Sequence, residues 1–156
     1  MREEYAPDII ETLENSFGEL ERKEDLGEAL LSAAKNAVED NMPDYLAELK
    51  TLTEGSFLEE LDELNLEVEY RRAVQNSIGY MLLVRCGLDP SEYFEDMDFR
   101  DVTDFNTPQT LNALGVATGT SPRCAFPPFP ARFLPCKDSP KKKIAHLNPS
   151  RKTSML

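Results

Sequence analysis

At 156 residues and 40% hydrophobic content, the chain can bury one core, and no apolar run approaches the roughly 18–20 residues of a membrane-crossing helix. Its net charge of −12 is unevenly divided: residues 1–120 hold 28 acids against 9 Lys plus Arg, and residues 121–156 hold 1 against 8. The acidic start, MREEYAPDII, lacks the cationic and apolar regions of a secretory signal. Three scattered cysteines exclude a disulfide framework, so a cytoplasmic protein without membrane contact is expected.

Helical periodicity runs through the first 120 residues. Pro7 suits a first helical position, and Ile10, Leu13, Phe17 and Leu20 follow at helical spacing. Leu26, Leu30, Ala33 and Ala37 mark a second helix, with Gly27 in its first turn. Asn41-Met42-Pro43 ends it and opens a third, whose face is Tyr45, Leu46, Leu49 and Leu52. Gly55 then predicts a left-handed cap, and Ser56 with Glu59 a capping box into a helix bearing Leu58, Leu61 and Leu64.

The pattern from about Leu66 to Cys86 is apolar on nearly every side and predicts the helix at the centre of a bundle. Val74, Ile78, Met81, Leu82 and Arg85 descend one side, and Ala73, Tyr80 and Val84 widen the apolar surface. Gly87 stops it, Leu88 folds back onto the last turn, and Asp89, Pro90 and Glu92 start a short helix. Residues 95–106, EDMDFRDVTDFN, show no 3.6-residue period and read as a loop. Thr107 and Pro108 open a last helix carrying Leu111 and Leu114. The expected fold is an all-α bundle of about five to seven helices without strands, spanning an acidic domain at 1–119.

All seven glycines precede residue 120, and seven of the 11 prolines follow it. Residues 120–156 have no periodicity that could bury a face and are expected to be a disordered, basic, Pro-rich tail. The change at GVATG–TSPRC is abrupt enough that translation from a non-native reading frame is one account of it.

Few motifs point to chemistry. A helical two-histidine zinc site is excluded because His146, in the tail, is the one histidine in the chain. Cys124 and Cys136 lack the short-spaced partners of a zinc site, and Cys86 reads as a buried structural thiol. Pro127, Pro130 and Arg132 satisfy the P-x-x-P-x-R spacing read by SH3 domains, and Lys141, Lys142 and Lys143 form a short basic run. An acidic body repels nucleic-acid phosphates and favours basic protein partners, or imitates DNA charge. The same acids also sit naturally on the wet faces of amphipathic helices.

The segment AVQNSIGYMLLVRCGLDPSEYF (residues 73–94) resembles the late helix of ArdC-type antirestriction and LtrC-type conjugation proteins of mobile elements. These metallopeptidase-like proteins carry an H-E-x-x-H helix and, downstream, E-A-E-S-V-A-Y, an apolar stretch and G-L-D-x-S-x-Y. Ser77, Ile78, Gly79 and Tyr80 fall on S-V-A-Y. Gly87, Leu88, Asp89, Ser91 and Tyr93 fall on the second motif. The resemblance implies a zinc-binding glutamate where this chain has Asn76, and H-E-x-x-H is missing. It therefore implies a degenerate module without cofactor or catalysis that acts by protein binding or scaffolding. The alternative is an acidic interaction protein or DNA mimic that inhibits a nucleic-acid-binding enzyme. Gln75, Asn76 and Ser77 have two readings: the polar vestige of a metal-facing surface, or polar residues bonded to a neighbouring loop.

Overall fold

Short polar side chains start most of the helices. The computed structural model describes residues 6–125, with side chains as far as residue 119. In chain order the α-helices are α1 (Ala6–Phe17), α2 (Leu26–Glu39), α3 (Met42–Leu49), α4 (Glu63–Cys86) and α5 (Pro108–Ala125). Three 3-10 segments join them, at Phe57–Glu60, Pro90–Glu92 and Asp96–Asp104. No strand occurs among the described residues, so the fold is all-α. Asp25 and Asp62 cap α2 and α4 by accepting the amides of Glu28 and Asn65, each at 2.9 Å. At the other end of α4, Gly87 turns left-handed at φ 74°, and the Leu88 amide reaches back to the Leu83 carbonyl at 3.0 Å.

Helix α4 is the axis of the bundle, with α2, α5, α3 and the 96–104 segment against it. Its buried side is Leu66, Tyr70, Ala73, Val74, Ile78, Leu82, Leu83 and Cys86. Helix α2 buries the small residues Ala29, Ala33, Ala34 and Ala37, and α4 buries Gly79 where Leu31 of α2 meets it. A Cβ on Gly79 would lie 2.7 Å from a Leu31 methyl and 3.2 Å from the Phe94 ring, so the close approach depends on glycine. The α1–α2 connection is held by side chains from α2. Ser32 Oγ accepts the Arg22 amide and donates to its carbonyl, and the Asn36 amide donates to the carbonyls of Phe17 and Glu19. Helix α5 buries Thr110, Ala113, Leu114 and Ala117, one helical stripe, and the Tyr70 hydroxyl ties α4 to it through the Ala113 carbonyl at 3.3 Å.

Five expectations are corrected. Leu58, Leu61 and Leu64 do not share a helix: Phe57–Glu60 is one 3-10 turn, and Leu64 lies exposed in the first turn of α4. The Ser56 cap forms only in part, because its hydroxyl accepts from Leu58 while Glu59 reaches back to the Gly55 amide. Helix α4 begins at Glu63, since Asp62 supplies a cap that the apolar pattern does not reveal. Tyr80 (45% exposed), Val84 (51%) and Arg85 face outward, and Tyr80 is covered only in part, by the Phe99 ring; Leu111 is likewise exposed on α5.

The fifth correction is the supposed loop. Residues 96–104 form a 3-10 helix, whose three residues per turn place i and i+3 in line. Phe99, Val102 and Phe105 form an apolar row, and Glu95, Asp98, Asp101 and Asp104 form an acidic row that includes the buried Asp101. Helix α5 carries the backbone past Gly119 to Ala125. The expectations for Pro127, Pro130, Arg132, Cys136, Lys141, Lys142, Lys143 and His146 lie outside the described residues.

Candidate functional site

The surface richest in chemistry is the seam between α4 and the 96–104 segment, which run antiparallel. Asn76 donates its amide to the Asp98 carbonyl at 2.7 Å. One turn earlier, Arg72 pairs with Asp101 at 2.8 Å, and Asp101 is nearly fully buried. One turn earlier again, Glu69 comes under the field of Asp104 and Asp101. The register is 76 with 98, 72 with 101 and 69 with 104, so each turn of α4 meets one turn of the acidic row.

The first two rungs attract and the third repels. Glu69 Oε2 is shut from solvent without a hydrogen-bond partner. Burial first, then the neighbouring Asp104 and Asp101, hold its carboxyl above the usual carboxylate range, against the opposing pull of Arg72 and Arg100.

Aromatic rings continue the seam beyond Asn76. Tyr80 meets Phe99 edge-on at 5.7 Å between centroids, and Phe99 meets Phe94 at 5.3 Å. Ser77, Tyr80, Met81 and Phe99, with Thr118 of α5, enclose an open groove of about 360 Å³. That volume falls within the roughly 300–1,000 Å³ of ordinary ligand clefts. Its walls are almost wholly apolar, and Val84 extends the face by one turn from Tyr80.

A second groove, of about 330 Å³, lies on the α2 side of α4. Its polar walls are already paired with one another: Lys35 with Glu21 at 2.6 Å, Arg22 with Glu28 at 3.5 Å, and Ser32 with the Arg22 backbone. Gln75 and Asn76 line this groove, whereas Ser77 lines the apolar one. The three polar residues therefore do not form one surface, as consecutive positions on a helix point about 100° apart. Gln75 makes a long contact to Glu39 at 3.4 Å, and Asn76 is engaged with the 96–104 backbone.

No group of three or more His, Cys, Asp or Glu among the described residues could hold a metal ion. Cys86 is buried, and burial pushes its thiol up to about 11, which leaves it protonated and unreactive at neutral pH. No helix among the described residues is long and apolar enough to cross a membrane.

Arg22, Lys23, Lys35, Lys50, Arg71, Arg72 and Arg100 each lie within ion-pair distance of an acid. Most of the basic charge among the residues with described side chains is thus locally neutralised, and an excess of acids remains there. Glu69, Tyr80 and Phe99 are the residues that sequence reasoning missed. The three-residue period of 95–105 was the available signal for Phe99; nothing marked Tyr80 as uncovered. Comparisons with protein-family models, with curated proteins and with solved structures give no match.

Proposed function

We propose that this chain is a non-catalytic helical module that works by binding protein, and that it docks a basic amphipathic segment of its partner in the groove at Tyr80, Met81 and Phe99. The observation that carries this reading is an open apolar groove on a body with a large excess of acids. Apolar contact supplies affinity, and the acid excess of the body as a whole favours and steers a basic partner. The resemblance of residues 73–94 to antirestriction and conjugation proteins suggests a mobile-element setting for such a module, whole or as a fragment. The second reading, DNA mimicry directed at a nucleic-acid-binding enzyme, draws on the acid excess alone.

The two readings separate with a labelled helical peptide built of lysine and leucine on opposite faces. Docking predicts saturable binding that weakens about tenfold or more in a Tyr80→Ser, Met81→Ser double variant, the scale of a lost apolar hot spot. Binding indifferent to that variant, and equal for a peptide whose leucines are replaced by serine, would refute groove docking and leave charge mimicry.

A further inference from the structure

We infer that the third rung of the seam is a proton-sensitive clasp: protonation of Glu69 lets its carboxyl donate a hydrogen bond to Asp104 or Asp101, fastening the 96–104 segment to α4, and ionisation loosens it. This goes beyond the docking proposal and does not depend on it. The geometry is a ladder with one mismatched step. Asn76 with Asp98 and Arg72 with Asp101 already bring the two backbones together, and the same register leaves Glu69 opposed to acids.

The charged groups bearing on Glu69 are Arg72 from α4 and Asp101, Asp104 and Arg100 from the 96–104 segment. Arg72 already donates to Asp101 at 2.8 Å, and the Arg100 guanidinium lies 3.8 Å from the same carboxylate. Neither donates to Glu69 Oε2, which has no partner. A proton taken from solvent onto Glu69 removes one negative charge from the rung and creates the missing donor. A carboxyl O–H facing a carboxylate is among the stronger hydrogen bonds available to side chains.

The sign follows from linkage. Because burial and like charge raise the Glu69 value in the native state above the ordinary 4.5, the stabilising effect of its proton is complete below that value. It is lost as pH rises through the raised native value. The segment that responds carries Phe99, one wall of the apolar groove, so the clasp sets how firmly that wall is held.

The test is hydrogen exchange on the whole chain, corrected for intrinsic rates, at about pH 4, below the ordinary 4.5, and at about pH 7.5. The amides of Val102, Thr103 and Asp104 should be several-fold better protected at the lower pH, while those of Leu30 and Ala33 in α2 serve as reference. Glu69→Gln, which keeps the shape and supplies a permanent donor, should hold the higher protection at both pH values. Asp104→Asn should shrink the pH effect by removing the opposing charge. Equal protection of the wild-type segment at the two pH values, or an undiminished pH effect in Glu69→Gln, would overturn the clasp.

Discussion

The Asn76 side chain donates to the Asp98 carbonyl at 2.7 Å, fastening the centre of α4 to the acidic 3-10 segment. The family resemblance implies a metal-binding glutamate at this position, and in this chain the amide serves as a tether between two elements. A carboxylate could not make that bond, because it has no hydrogen to give.

Asn76→Ala should therefore cost about 1 kcal/mol in urea denaturation, toward the low end for a stranded partner because both residues are only half-buried. Asn76→Asp should cost more, about 1–3 kcal/mol, since it sets an acceptor against an acceptor within an acidic row. Equal stability of wild type, Asn76→Ala and Asn76→Asp would show that the tether contributes nothing.

Packing around α4 gives larger effects. Leu82 is fully buried, and Leu82→Ala should cost about 2–5 kcal/mol, a large share of the roughly 5–15 kcal/mol available to a domain. Gly79→Val would drive a branched side chain into Leu31 and Phe94 and should cost about 1–3 kcal/mol through displacement of α2. Chemical denaturation checks both. A Leu82→Ala protein as stable as wild type would remove α4 from the centre of the fold.

Cys86 should resist alkylation in the native protein at mildly alkaline pH, because its thiol is pushed up to about 11 and is shut from solvent. Peptide mapping after iodoacetamide treatment, with and without denaturant, reads this site separately from Cys124 and Cys136. Rapid native labelling at Cys86 would contradict its burial.

Much of the fold was legible because its signals are local. Asp89 and Gly87 each act at the position where the sequence places a cap or a stop, and Pro7 and Pro43 lie in the first turns of α1 and α3. The 96–104 segment was not legible because its pattern repeats every three residues, and a search for a 3.6-residue period averages such a pattern away. Tyr80 and Val84 show a different limit. An apolar residue on a central helix is buried only where another element covers it, and the choice of covered side is made by tertiary packing. The candidate groove was hidden for the same reason, since it joins Ser77, Tyr80 and Met81 to Phe99 and Thr118, far apart in the chain.

Glu69 also limits what bulk stability can report on pH. The lysine partners of Glu14 and Glu21, by hydrogen bond first and charge next, hold those carboxyls below the usual range, so their small surface contributions are present at neutral pH and lost on acidification. Glu69 acts in the opposite direction. The pairs of Glu14 and Glu21 stay ionised down to the ordinary 4.5, so acidification toward that value should leave whole-protein melting temperatures level or slightly raised while local protection at 102–104 rises; a fall in melting temperature before pH 4.5 is reached would contradict this balance.

Docking at the groove is tested most directly by the methyl resonance of Met81, followed by NMR while the lysine–leucine peptide is added. Met81 lines the groove, whereas Met42 is buried in the core and serves as the internal reference. Groove docking predicts that the Met81 signal shifts in step with saturation while Met42 stays in place, and that Tyr80→Ser weakens the titration. A peptide that saturates the protein without moving Met81 would place binding elsewhere on the acidic surface and contradict the proposed site.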